Sequence, residues 1–292
     1  MAIRIGTAPD SWGVWFAKDE RQIPWQRCLD EIHDAGYEGT ELGPWGYMPN
    51  DHAVLKKEFD RRSLKLVAET VVVNFLDDEA VKSFFTLTDQ IALLLKKFND
   101  AKYIILITDF YNDEKTGVSN KPQFLTQEQR EKLFRNIQRS GDYIRKHDLI
   151  PLFHQHADTY IMTEDDIEGL FANTDIDFCH DTGHHVYGGG DPVAFYEKHS
   201  SRIPFIHIKQ CDMAVKARKD AESWPFAYAV AKGVMCEPER GSIDFKHFTG
   251  ILRNRKFDGW LIVEQDMYPV NSFDDPLPIA RKTREYLKSL GL

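Results

Sequence analysis

Short apolar runs alternate with amphipathic stretches along almost the whole chain. The apolar runs predict strands. They cover IRIGTAP (3–9), GTELG (39–43), KLVAETVVV (65–73), KYIILIT (102–108), IPLFHQ (150–155), DIDFCHD (175–181), PFIHIK (204–209) and WLIVEQ (260–265). Between them, apolar positions at helical spacing predict helices over 25–36, 52–63, 78–100, 126–148, 163–174, 191–200 and 244–257. A last helix is predicted over 278–291. Thr163 reads as an N-cap, with Asp166 three residues on completing a capping-box-like pattern. GGGD (188–191) reads as a loop that sets Asp191 and Pro192 at a helix start.

Eight strands and eight helices in alternation predict an α/β fold, a (β/α)8 TIM barrel, as a single domain over 1–292. An open doubly wound sheet is the structural alternative, but no GxGxxG follows the first strand. Two long segments remain, 111–124 after the fourth strand and roughly 211–240 after the seventh. Both are expected on the rim where the strands end, where long loops act as lids.

Charge and composition narrow the partners. The formal net charge is −9, which argues against a nucleic-acid partner, because such proteins usually carry a basic face. No run of 18 apolar residues occurs, so no membrane span is expected. The N-terminus lacks the long apolar stretch of a signal peptide. The four cysteines, Cys28, Cys179, Cys211 and Cys236, show no CxxC spacing and fit reduced thiols of a cytoplasmic protein. Cys179 is expected to pack in the core. Barrels of this size often form homo-oligomers, but no segment identifies an interface.

The chemistry gathers in the second half. PLFHQH (151–156), DFCHDTGHH (177–185), PFIHIKQ (204–210) and WLIVEQD (260–266) each close on His, Asp or Glu. A lone His or Asp at a strand end is usually a structural hydrogen-bond partner. Four at the ends of successive strands point instead to one rim carrying His154, Asp181, His207 and Glu264. That mixed imidazole and carboxylate set suits a divalent metal that polarises an oxygen substrate. Manganese, cobalt, zinc and iron all suit such donors. In HQH both imidazoles face one way; His154 lies deeper as a ligand, and His156 higher as a substrate contact. His184 falls in the turn after Asp181, placed to deliver a proton or to orient Asp181. Lys209 shares a face with His207, where an enediolate oxygen would satisfy its charge. Glu41 adds a third ionisable group. Asp10, Trp12 and Trp45 follow the first two strands, and the tryptophans offer flat walls for a sugar or cyclitol ring.

These residues resemble the xylose-isomerase-like TIM-barrel superfamily of sugar isomerases, epimerases and dehydratases. GTAPDSWGVW (6–15) and EGTELGPWGYMP (38–49) are similar to its inosose-dehydratase branch. HQH, DTGHHVYGGGDP (181–192), RIPFIHIK (202–209) and GWLIVEQD (259–266) continue the likeness in order. The resemblance implies a divalent ion, commonly Mn2+ or Co2+, at His154, Asp181, His207 and Glu264. It implies a dehydratase of inositol catabolism acting on a polyhydroxylated cyclic ketone, 2-keto-myo-inositol, through a metal-bound enediolate. In that scheme Lys209 holds charge and His184 serves as acid. The base is Glu264, Glu41 or a metal-bound hydroxide. The epimerase branches carry Glu where His154 stands, which favours a lyase over the alternative, an isomerase or epimerase of a ketose or inosose. Abasic-site endonucleases share the fold but need more ligands and a basic face. A non-catalytic sugar-binding protein is a further alternative. Three segments depart from the dehydratase pattern: Lys209-Gln210 for Lys-Asp, Pro238-Glu239-Arg240-Gly241 for Pro-Gly-Asp-Gly, and Glu264-Gln265-Asp266-Met267 for Glu-Ala-Glu-Gln-Asp-Pro. All three are expected near the substrate.

Overall fold

The computed structural model describes residues 2–292. Met1, included in the predicted 1–292 unit, lies outside the described residues. The strands are β1 (Ile3–Thr7), β2 (Gly39–Thr40), β3 (Lys65–Leu66), β4 (Ala68–Val73), β5 (Tyr103–Thr108), β6 (Ile150–His154), β7 (Asp177–Asp181), β8 (Phe205–Ile208), β9 (Gln210–Cys211), β10 (Met235–Cys236) and β11 (Gly259–Val263). Nine of them form one sheet in the order β3-β2-β1-β11-β8-β7-β6-β5-β4, and every neighbouring pair is parallel.

The two ends of that order are halves of one segment, the predicted strand 65–73. Val67 and Ala68 both pack inside the barrel. Consecutive residues of a regular strand cannot share a face, so the ladder breaks between them. The ring still closes across the break. The Val67 N–H donates to the Thr40 carbonyl and the Leu42 N–H to the Ala68 carbonyl, each at 3.0 Å. The expected TIM barrel is the observed fold. Its interior is plugged by Val67, Ile105, Leu152, Cys179, Phe205 and Trp260, which form the floor beneath the strand ends.

The helices are α1 (Trp25–Ala35), α2 (His52–Asp60), α3 (Asp78–Leu95), α4 (Gln127–Arg145), α5 (Glu164–Asn173), α6 (Thr182–Tyr187), α7 (Pro192–His199), α8 (Met213–Glu222), α9 (Phe226–Ala231), α10 (Phe245–Asn254) and α11 (Pro276–Ser289). Their starts follow local chemistry. Thr163 and Asp166 form the expected reciprocal capping box on α5. Asp191 accepts from the N–H groups of Val193 and Ala194 at the head of α7, with Pro192 in the first turn. The segment 211–240 holds α8, α9 and the antiparallel pair β9–β10 rather than open loop. All four cysteines are free and buried. Among the described residues, no helix is long and apolar enough to cross a membrane.

Candidate active site

His154 ends β6 and Asp181 ends β7. His207 lies in β8 directly beside Asp181, and Glu264 follows β11 by one residue. Parallel register therefore carries four side chains to one level of the rim. One ligand atom from each lies within 4.8 Å of the others. His207 Nδ1 is 3.0 Å from Glu264 Oε2 and 3.7 Å from Asp181 Oδ2. His154 Nε2 is 3.9 Å from Asp181 Oδ2. The other nitrogen of His207, Nε2, donates to Glu41 Oε1 at 2.8 Å, and Glu41 Oε2 accepts from Thr70 Oγ1 at 2.8 Å. That contact holds the ring with Nδ1 turned toward the Glu264 and Asp181 carboxylates, where a bound ion would take its lone pair.

Asp181 Oδ2 and His207 Nδ1 are buried without a hydrogen-bond partner. Converging unpaired acceptors are costly away from water unless a cation lies among them. The donors present thus fit the divalent ion that the sequence leads one to expect. Cys179 also lies beside His154 and His207, but burial pushes its thiol up to about 12, so it stays protonated. Burial alone would raise the Asp181 carboxyl; Lys209 and the neighbouring His207 ring outweigh it and hold it at about 2. Burial likewise opposes ionisation of Glu264, and His207 and Lys209 reverse it, keeping that carboxyl low.

Lys209 is 1% exposed. Its Nζ lies 2.9 Å from Asp266 Oδ2, 3.0 Å from Glu264 Oε2 and 3.3 Å from Asp181 Oδ2. Desolvation works against its charge, but Asp181, Asp266 and Glu264 raise its pKa well above the usual lysine value. Lys209 Nζ is also 3.0 Å from His184 Nε2. His184 lies in the short helix α6, not in an open turn, with its N–H on Asp181 Oδ1 at 2.7 Å. Its Nδ1 lies 3.3 Å from the Ala157 N–H, and its Nε2 faces the Lys209 ammonium. Desolvation, His156 and Lys209 all keep this ring neutral. The His156 ring lies beside it, with centroids 3.8 Å apart. His156 Nδ1 donates to the Ala157 carbonyl at 2.9 Å, leaving its Nε2 lone pair free.

Above this floor opens a cavity of about 370 Å³. His154, His207, Glu264, Lys209, Glu41, His156, Asp10 and Trp45 line it. Asp181 and His184 lie behind that wall, fully buried. Trp12 does not reach it. A 3-10 turn over Pro9–Trp12 ends on Gly13 at φ 73°, which turns Trp12 into the core, where its indole donates to Glu31 at 2.9 Å. Trp15 takes the place in the cavity wall, joined by Phe16, Phe110 and Phe226. Sequence reading also passed over Asp266, although it stands two residues beyond Glu264, the spacing that paired His154 with His156. Of the three departing segments, the first reaches the cavity through Lys209 and the last through Glu264 and Asp266, while Gln210 and residues 238–241 do not line it. Gln210 instead donates to the carbonyls of Pro238 and Ile243, both at 3.0 Å. A Cβ on Gly241 would lie 2.0 Å from Gln210 Cγ. Gln210 and the 238–241 segment therefore pack on each other, away from the cavity.

The family described as xylose isomerase-like TIM barrel matches residues 29–290. The chain belongs to that family. An inosose dehydratase of Lacticaseibacillus casei is 29% identical, covering 98% of this chain and 97% of its own. One of Clostridium tetani (strain Massachusetts / E88) is 26% identical, covering 98% and 96%. Among solved structures, the probable 3-DHS dehydratase AsbF of Bacillus anthracis superposes with a TM-score of 0.72 at 15% identity, covering 98% of this chain and 99% of its own. The 3-keto-D-glucoside 4-epimerase of E. coli gives 0.66 at 12%, covering 99% and 100%. At these identities the structural likeness speaks for the fold alone.

Proposed function

We propose that this protein is a metal-dependent hydro-lyase that removes water from a polyhydroxylated cyclic ketone, 2-keto-myo-inositol first among them. The inosose dehydratases that resemble it along nearly their full length support that substrate. The observation that carries the reaction type is the pair of neutral imidazoles beside one buried ammonium. His156 presents a lone pair, Lys209 presents its ammonium, and His184 stands 3.0 Å behind Lys209. Neither carboxylate named as a possible base is free. Glu41 is engaged by His207 and Thr70, and Glu264 by His207 and Lys209.

His154, Asp181, His207 and Glu264 would hold the ion, with Mn2+ or Co2+ the expected occupants. When bound, such an ion polarises the ketone oxygen and acidifies the proton α to it. His156 Nε2 takes that proton. Negative charge developing on the substrate oxygens is countered by the Lys209 ammonium. The departing β-hydroxyl takes a proton from the Lys209–His184 pair through Lys209 Nζ, which lines the cavity 3.0 Å from His184 Nε2. The proton taken by His156 returns to solvent and one from solvent recharges the Lys209–His184 pair, so the balance is one water lost from the ketone. Trp15, Trp45 and Phe226 wall the ring and limit water at the reacting carbons.

The deciding experiment is turnover of 2-keto-myo-inositol by stripped protein, with manganese, cobalt or nothing restored, followed by product mass and ultraviolet absorbance. Metal-dependent loss of one water with a new dicarbonyl chromophore is expected. Unchanged mass with an altered sugar would make the protein an isomerase or epimerase instead.

A further inference from the structure

Glu114 stands in the segment 111–124 and lines the cavity. The segment is tied down on both sides. Asn112 Nδ2 donates to Asp158 Oδ2 at 2.8 Å. Asp113 Oδ1 accepts from the N–H groups of Lys115 and Thr116 at 3.1 and 2.8 Å. Lys115 pairs with Asp19 at 3.1 Å and lies 4.3 Å over the Phe16 ring, across the mouth. Gly117, at φ 69°, packs on Pro225 too closely for a Cβ. The acids Asp19, Asp113 and Asp158 therefore hold the fold of the mouth.

Glu114 does not share that work. It is half-buried, and among the described residues its carboxyl makes no hydrogen bond or ion pair. Burial, then Asp113, raises its pKa to about 7. A carboxyl on a cavity wall with no protein donor is free to accept from a ligand that brings donors. Two oxygens side by side match two neighbouring hydroxyls of a polyol ring. The charge on the wall points the same way. Asp10, Glu69, Asp113 and Asp158 also line the cavity, and Lys209 is the only Lys or Arg among the lining residues. Its ammonium is already surrounded by Asp181, Glu264 and Asp266. An anionic substituent at the mouth would meet like charge, with the nearby Lys115 already paired to Asp19.

We propose that Glu114 is a specificity-determining residue, accepting adjacent hydroxyls of an uncharged polyol ring and turning away ring ketones that bear a phosphate or carboxylate. The inference rests on the dehydratase reading for its substrate, but not for its test. With 2-keto-myo-inositol, Glu114→Ala is expected to raise KM about tenfold or more, with kcat within about threefold of wild type. Metal content and far-ultraviolet circular dichroism should not change. By calorimetry, the wild type should bind myo-inositol and not myo-inositol 1-phosphate, Glu114→Ala should lose affinity for myo-inositol, and Glu114→Lys should gain affinity for the phosphate. An unchanged KM with an unchanged ligand preference overturns the role of Glu114 and leaves the dehydratase standing. A wild type that turns over no inosose overturns the dehydratase, and the calorimetric comparison then decides Glu114 alone. Equal binding of both ligands by wild type, or no binding of myo-inositol, overturns the role.

Discussion

His184 is held from three directions: its N–H by Asp181, its Nδ1 by Ala157 and its Nε2 by Lys209. None of these contacts is required of it as a metal ligand. His184→Ala should therefore keep its metal by elemental analysis and lose roughly 10²- to 10⁴-fold in kcat, the usual range for general acid–base groups. Turnover at the wild-type rate would remove His184 from the chemistry. Glu41 is argued the opposite way. Both its oxygens are engaged, one of them on the far nitrogen of His207. Glu41→Gln should weaken metal affinity about 10- to 100-fold, read by competition with a chromophoric chelator. Wild-type affinity with lost turnover would return Glu41 to the list of bases. The clustering of the four candidate ligands was legible in the sequence because an apolar run that ends on a donor marks both the strand and its mouth. The tryptophans were not. Whether Trp12 or Trp15 faces the cavity depends on the left-handed Gly13 between them, a backbone reversal that composition does not report.

The short helix α6 shows how an element, rather than a residue, sets the site. Its first turn brings Asp181, as cap, and His184 against Lys209. The approach is so close that a Cβ on Gly183 would lie 2.5 Å from Lys209 Cγ and 2.8 Å from its Cβ. Gly183→Ala must push α6 and Lys209 apart. A cost of about 1–3 kcal/mol in stability is expected from such overpacking, together with a fall in kcat, because Lys209 loses its 3.0 Å contact with His184. Thermal melting and steady-state kinetics check both. A variant that melts and turns over like wild type would mean the contact is slack. DTGHH gave no helical period to read, since six residues are too few to show one. The split of the predicted strand 65–73 was equally hidden. It arises from two consecutive residues, Val67 and Ala68, turning inward to fill the barrel, a packing demand made by the other strands. Helices with long amphipathic faces and explicit caps, such as α5 and α7, were legible because their signals are local.

Across the whole barrel, labour divides by halves of the ring. The strands from β6 to β11 supply the four candidate ligands and Lys209, while segments following β1, β2 and β5 supply Asp10, Glu41, Trp45 and Glu114. The ligands span positions 154 to 264 in the chain. A bound ion would therefore join four strand ends that otherwise meet through mutually repelling carboxylates and one lysine. Binding the folded chain but not the unfolded one stabilises by mass action, by about 2.7 kcal/mol at a hundredfold excess over Kd. With about 2–4 °C per kcal/mol for chains of some 150–250 residues, stripping the metal should lower the melting temperature by roughly 5–10 °C, and manganese or cobalt should restore it. Asp181→Asn removes one ligand charge at nearly constant volume. It should melt at the same temperature with and without chelator, whichever way the substitution moves the baseline. A wild type whose melting point ignores the loss of its metal would show that the strand ends are held by Lys209 and the histidines alone, and that the ion serves the chemistry without serving the fold.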